Sequence, residues 1–330
     1  MRLRLTTRQS EFVDYLVSLW DPTPSAAIPS AADTPRRTIS YTSASFCHEY
    51  CITTHRAWQT WKAGSVTGTV YQQPALDDRR RYLWWCGSLK EAARHYSWTT
   101  SKAGSFSTLA SRLQMAIKSG CKATTKKVCL DIFEWGGVAR KSNNASRVWL
   151  DAAGAANLLV PQLKQAVGVL QPSMTVGLAM FRRDGLLMNS AMTKVYAAAD
   201  PQHIVIYDGR VGAALCLFVR EFLRPTLLTS VPDDLAFLWG AAQGRDASKR
   251  DPSSARFSFK SLNHYGVGDR KRAETARRTN SILTAMVNRL RAKHVAVTLA
   301  GVEQALFMVG YDVRAMKATT IPRGRNPGNR

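Results

Sequence analysis

The sequence predicts a mainly α-helical protein, and three observations lead there. Apolar residues recur at i, i+3, i+4 and i+7 through most of the chain beyond residue 106, the connections between these segments are short, and Ser, Gly and Pro fall where helix ends belong. The chain has 330 residues, 45% of them hydrophobic and 9% aromatic, which is enough to fill a core without staples. Six cysteines, at 47, 51, 86, 121, 129 and 216, are too scattered for a disulfide framework, which agrees with a reducing compartment.

Residues 8–20 place Phe12, Leu16, Val17 and Trp20 at helical spacing, and Asp21-Pro22-Thr23-Pro24-Ser25 ends that helix. The Ser-, Ala- and Pro-rich stretch from Pro22 to Arg37 reads as a loop or linker. A second helix is expected over about 43–62, with Phe46, Tyr50, Ala57, Trp58 and Trp61. On that helix Cys47, Cys51 and His55 would share a face, but no second Cys or His pair lies nearby, and no metal site is assigned. Arg79-Arg80-Arg81 leads into Tyr82-Leu83-Trp84-Trp85 and on to His95, Tyr96 and Trp98. Such a mixture either stacks bases while holding phosphates or packs core beneath a charged loop.

From Ser107, a fair N-cap, the residues Leu109, Leu113, Ala116 and Ile117 mark a helix closed at Gly120. Val128, Ile132 and Trp135 mark the next, ended by Gly136-Gly137, and residues 146–170 give two helical pieces separated by Pro161. A helix over 186–199 follows, and then Val211, Ala214, Leu215, Phe218 and Phe222 form a strong apolar stripe limited by Pro225. Gln243 to Lys260 reads as a loop. The helix beyond it sets Ala276, Leu283, Met286 and Leu290 against a basic ridge of Arg270, Lys271, Arg272, Arg277, Arg278, Arg289, Arg291 and Lys293. A last helix spans Val297 to Val309. The expected organisation is an N-terminal helical and aromatic extension (1–105), a helical domain (106–315) and a basic tail (316–330) disordered by composition.

Forty-six Lys and Arg against 23 Asp and Glu leave a formal charge of +23, which points to a polyanionic partner, nucleic acid before an anionic membrane. No run approaches 18 consecutive apolar residues, and the N-terminus shows no apolar signal segment. DNA is therefore the expected partner, with no membrane, no obligate protein partner, a monomeric state and a cytoplasmic location.

The chemistry concentrates between Met192 and Val211. Within 186–199, Lys194 falls in the narrow sector shared by Leu187, Ala191 and Ala198. A lysine on an apolar stripe either snorkels to an edge or phosphate, or sits in a desolvated cleft where its lowered pKa suits an amine nucleophile. Asp200-Pro201 then turns the chain into the run Ile204-Val205-Ile206-Tyr207, and Asp208 precedes the next helix. An N-cap role explains Asp208 fully, and the same placement lets its carboxylate stabilise a cationic sugar transition state or deprotonate a nucleophile.

Thr193-Lys194-Val195, Asp200-Pro201 and Ile204-Val205-Ile206-Tyr207-Asp208-Gly209-Arg210-Val211 resemble the centre of the helix-hairpin-helix DNA glycosylases, in particular their 8-oxoguanine-glycosylase-like bacterial branch. The likeness covers roughly residues 106–310 as a helical pattern. That superfamily's Leu-Pro-Gly-x-Gly turn is absent, with Asp184-Gly185-Leu186-Leu187 in its place, and residues 194 and 208 lie 14 positions apart, several fewer than in better-known members. The resemblance implies a two-lobed all-helical enzyme without cofactor that flips a damaged or modified base from DNA and cleaves its N-glycosidic bond, in repair or in defence against invading DNA. Asp208 would stabilise the sugar cation and Lys194 would attack C1′, with strand nicking to follow. Arg210, Lys122, Lys126, Lys127, Arg270, Lys271, Arg272, Arg277 and Arg278 would hold phosphates, and Trp84, Trp85 and Tyr207 would line the base pocket. The alternative is a non-catalytic helical DNA-binding protein. A nuclease lacks the carboxylate cluster that Mg²⁺ needs.

Overall fold

The computed structural model describes residues 3–22, 40–42, 46–52, 82–96, 98, 104–172, 174–182, 184–242 and 246–314. Residues 23–37 of the expected linker, Arg79-Arg80-Arg81, the 316–330 tail, and His55, Ala57, Trp58 and Trp61 lie outside them. What is described is mainly helical, with one small antiparallel sheet. No described helix is long and apolar enough to cross a membrane.

Helix α1 (Thr7–Ser18) opens on a capping box in which Thr6 and Gln9 satisfy each other's backbone N–H, and it buries Phe12, Val13, Leu16 and Val17. The helix expected over 43–62 is corrected. Within it, Phe46–Ile52 is strand β2, set between β1 (Ser40–Tyr41) and β3 (Tyr82–Cys86). Phe46, His48 and Tyr50 alternate toward the core, and Tyr50 pairs across the ladder with Trp84. The partner strand lies some thirty residues away, so a local period of 3.6 could not reveal it.

Helix α2 (Leu89–Arg94) follows the sheet. Then come α3 (Phe106–Ser119), α4 (Lys122–Trp135), α5 (Ala145–Ala155) and α6 (Leu159–Leu170). Ser105 rather than Ser107 caps α3, and Gly120 closes it in the left-handed region. Pro161 lies inside the first turn of α6, where its missing N–H costs nothing, so the break falls instead at residues 156–158. The chain continues through α7 (Met192–Ala199), α8 (Gly209–Leu223), α9 (Asp269–Ala292) and α10 (Leu299–Val309).

Helices α3 to α7 pack on one another, as do α1, α2, α8, α9 and α10, and α9 touches α6 across the two sets. A continuous buried cluster joins Phe12, Tyr50 and Trp84 from the first hundred residues to Val195, Phe218, Met286 and Val309. Tyr50 and His48 reach the end of α10 directly, the Tyr50 hydroxyl donating to the Met308 carbonyl and the His48 ring lying 3.0 Å from that of Val309. Burial pushes His48 down to about 4, so its ring is neutral in this contact at neutral pH.

Candidate active site

The helix expected over 186–199 begins only at Met192. Asn189 accounts for the late start, because its side-chain oxygen accepts the N–H groups of Ala191 and Met192. The preceding residues serve other partners, Leu187 O accepting the Tyr196 hydroxyl and Met188 N–H donating to Asp269. Residues 171–191, linking α6 to α7, contain no described helix, so no tight hairpin turn joins the two. All of α7 from Met192 to Ala198 is buried, Lys194 included at 6% exposure.

Lys194 reaches a cavity by passing over Gly136. A Cβ added at that glycine would stand 2.5 Å from Lys194 Cδ and 2.7 Å from Cε, so the residue that ends α4 also leaves the lysine its channel. The ammonium donates to Ser190 O at 2.8 Å. Desolvation lowers its pKa, Arg210 lowers it further, and Asp208 and Glu303 partly restore it.

The run Ile204–Tyr207 looks like a strand yet joins no sheet. Its N–H groups are taken by side chains: Val205 N–H by Asn280 at 3.1 Å, Ile206 N–H by Glu303 at 2.8 Å, and Tyr207 N–H by Thr193 at 2.9 Å. The run is thereby fixed to α9, α10 and α7 at once, and it delivers Asp208 to the N-terminus of α8. One carboxylate oxygen of Asp208 accepts from Arg210 N–H (2.9 Å) and Val211 N–H (3.0 Å), the cap expected from sequence. Asp208 itself faces the same cavity as Lys194.

That cavity, of about 710 Å³, lies between the two helix sets. Trp135, Gly136, Asn189 and Lys194 line it from one side, and Asp208, Arg210, Arg250, Glu303, Phe307 and Tyr311 from the other. Glu303 was missed by sequence reasoning, although a lone acid in the apolar helix Leu299–Val309 was the signal available. Burial raises it to about 8, with Asp208 acting in the same direction and the Ile206 N–H bond and Lys194 opposing.

The other expected site residues divide sharply. Trp84 is fully buried and stacks on Tyr50 at 4.6 Å, so it packs the core and is not part of this cavity's lining; of Trp85 only the backbone is described. Tyr207 borders the cavity, but its hydroxyl is committed to Leu238, donating to O (2.6 Å) and accepting from N–H (3.0 Å). The aromatic lining comes instead from Tyr96, Trp98, Trp135, Phe307 and Tyr311.

Several cations of the basic ridge are engaged within the protein. Arg272 donates to Leu262 O, Arg277 to Val176 O, Arg278 to Ala236 O, and Arg289 to Ser10 O and Asp14. Arg270 and Lys271 stay at the surface beside Glu274. On α4 and its surroundings, Lys122 donates to Asn157, Lys126 pairs with Asp151, and Lys127 is exposed. Arg210 points into the cavity, with its guanidinium 4.2 Å from the centre of the Phe307 ring. No protein-family model, curated protein or solved structure matches the chain.

Proposed function

We propose that this protein is a DNA glycosylase that removes a damaged or otherwise modified base, with Asp208 and Lys194 as its catalytic residues. The observation that carries the reading is their meeting, from opposite walls, in one cationic cleft lined by aromatic rings. Two helix sets with a cavity between them also agree with the two-lobed architecture the resemblance implies. A base extruded from the duplex would stack on the aromatic wall, out of reach of bulk water. Asp208 would face the cationic sugar as the glycosidic bond breaks, its cap bonds holding it in place. Lys194, desolvated and therefore more readily neutral, would attack C1′ as the base leaves with the bonding electrons. Once the nitrogen has lost a proton, opening of the C1′–O4′ bond, with O4′ taking up a proton, would give an imine that permits strand nicking.

Base release measured across DNAs bearing oxidised, alkylated, deaminated and glucosylated bases tests the proposal. On whichever substrate is processed, Asp208→Asn lowers release by about 10²–10³-fold while DNA binding persists, since Asn retains the cap. Borohydride trapping gives a covalent adduct with the wild type and none with Lys194→Ala. Unchanged release by Asp208→Asn rejects the assignment, and an active wild type that cannot be trapped makes water the nucleophile.

A further inference from the structure

Three cations gather at one end of the cleft, two of them against a single ring. Arg210 stands 5.1 Å from the centre of the Tyr311 ring and Lys249 stands 3.6 Å from it. Arg250 is the next residue along from Lys249 and lines the same wall. None of the three side chains forms a salt bridge among the described residues. Of the nearby acids, Asp246 and Asp312 are taken by Arg314, and Asp208 spends one carboxylate oxygen on the N-terminus of α8. Arg250 is the extreme case, since its Nε is buried without a hydrogen-bond partner. Burial, with Arg210 adding to it and Asp208, Tyr311 and Asp312 opposing, brings its pKa down to about 10, so the folded protein holds this charge at a cost.

The backbone keeps the group together. Val313 N–H donates to Lys249 O at 2.8 Å, which ties the turn Ala247–Arg250 to the end of the last helix. Gly310 lets α10 cross directly over Arg210, whose carbonyl occupies the space a Cβ would need. Aromatic faces can screen a cation but offer no counter-charge. Fixed, partly desolvated guanidinium and ammonium groups that form no salt bridge match an oxyanion with several acceptor oxygens.

We propose that Arg210, Lys249 and Arg250 form a phosphate subsite inside the cleft, so that the ligand is bound as a nucleotide whose phosphate sits at the Tyr311 end. The subsite rests on the glycosylase reading only for its phosphate source, which is either the DNA chain at the extruded residue or the terminal group of a free nucleotide.

Titration calorimetry on the full chain compares deoxycytidine, deoxycytidine 5′-monophosphate and inorganic phosphate. The monophosphate binds the wild type at least about tenfold more tightly than the nucleoside, and Arg250→Met abolishes that preference. The same variant melts no lower than the wild type, because it no longer buries an unpaired charge. Equal binding of nucleoside and monophosphate by the wild type, or a preference that survives in Arg250→Met, overturns the proposal. Should Arg250→Met fail to fold, Lys249→Met carries the same comparison. Duplex DNA with a neutral methylphosphonate at linkages beside the target separates the sources. If the chain's own phosphate fills the subsite, that linkage weakens wild-type binding about tenfold and leaves Arg250→Met indifferent. If it changes nothing while the monophosphate still binds, the subsite stands and DNA as its ligand fails.

Discussion

Along α9 the guanidinium groups of Arg272, Arg277 and Arg278 end on the backbone carbonyls of Leu262, Val176 and Ala236. On the facing wall of the cleft the Arg210 guanidinium lies against aromatic rings and the Arg250 guanidinium donates no hydrogen bond among the described residues, its Nε being buried without a partner as that of Arg272 also is. Both regions are basic in sequence, and they differ in what their charges are already doing. A guanidinium that closes a loop by donating to backbone carbonyls is part of the fold, and it has fewer donors left for a phosphate. One held at a cavity wall with its donors unused retains them for a ligand. The formal charge of +23 therefore counts several cations already engaged within the protein.

Three substitutions sharpen or break this contrast. The largest effect is expected at Gly136→Ala, where the added methyl would collide with the Lys194 stem and move its ammonium. Covalent trapping should fall by about 10²-fold, as misplacing a reacting group by an ångström does, with a stability loss of about 1–3 kcal/mol from overpacking. Trapping at the wild-type level in Gly136→Ala would show that the lysine needs no such channel.

Next is Arg278→Ala, which frees the Ala236 carbonyl and should cost about 1–3 kcal/mol in chemical denaturation while leaving the salt dependence of DNA binding unchanged. The reverse result, normal stability with a salt slope smaller by about one, would return Arg278 to the DNA surface and erase the contrast.

The smallest effect is expected from Glu303→Gln, which retains an acceptor for Ile206 N–H. The carboxyl group titrates near 8 in the folded protein and far lower when unfolded, so between those values the folded state binds the extra proton. Its contribution is therefore fully present at low pH and is lost as pH rises through about 8. Melting temperatures of wild type and variant should coincide near pH 4 and separate by pH 9, with the variant higher. Parallel curves across that range would show that burial does not perturb Glu303.

Much of the helical framework was legible because its signals are local. The stripes of Leu109, Leu113 and Ala116 and of Val211, Ala214, Leu215 and Phe218 recur at 3.6 residues and lie buried in α3 and α8. Asp208 was readable as a cap for the same reason, since donors and acceptor are neighbours in sequence. The sheet was not legible, because Tyr50 needs Trp84 across the ladder to be a strand residue. Nor was the late start of the Lys194 helix, which depends on Asn189 turning its side chain back on Ala191 and Met192.

By itself, then, the sequence determined a mainly helical, strongly basic chain and placed one lysine on a buried stripe and one aspartate at a helix N-terminus. Only the tertiary structure decided that these two face one cavity, that Glu303 stands with them, and that most arginines of α9 brace the fold while Arg210, Lys249 and Arg250 do not. Periodicity and capping are set by atoms a few residues apart. The availability of a charge is set by carbonyls, rings and carboxylates that arrive from distant segments, and no local pattern encodes their arrival.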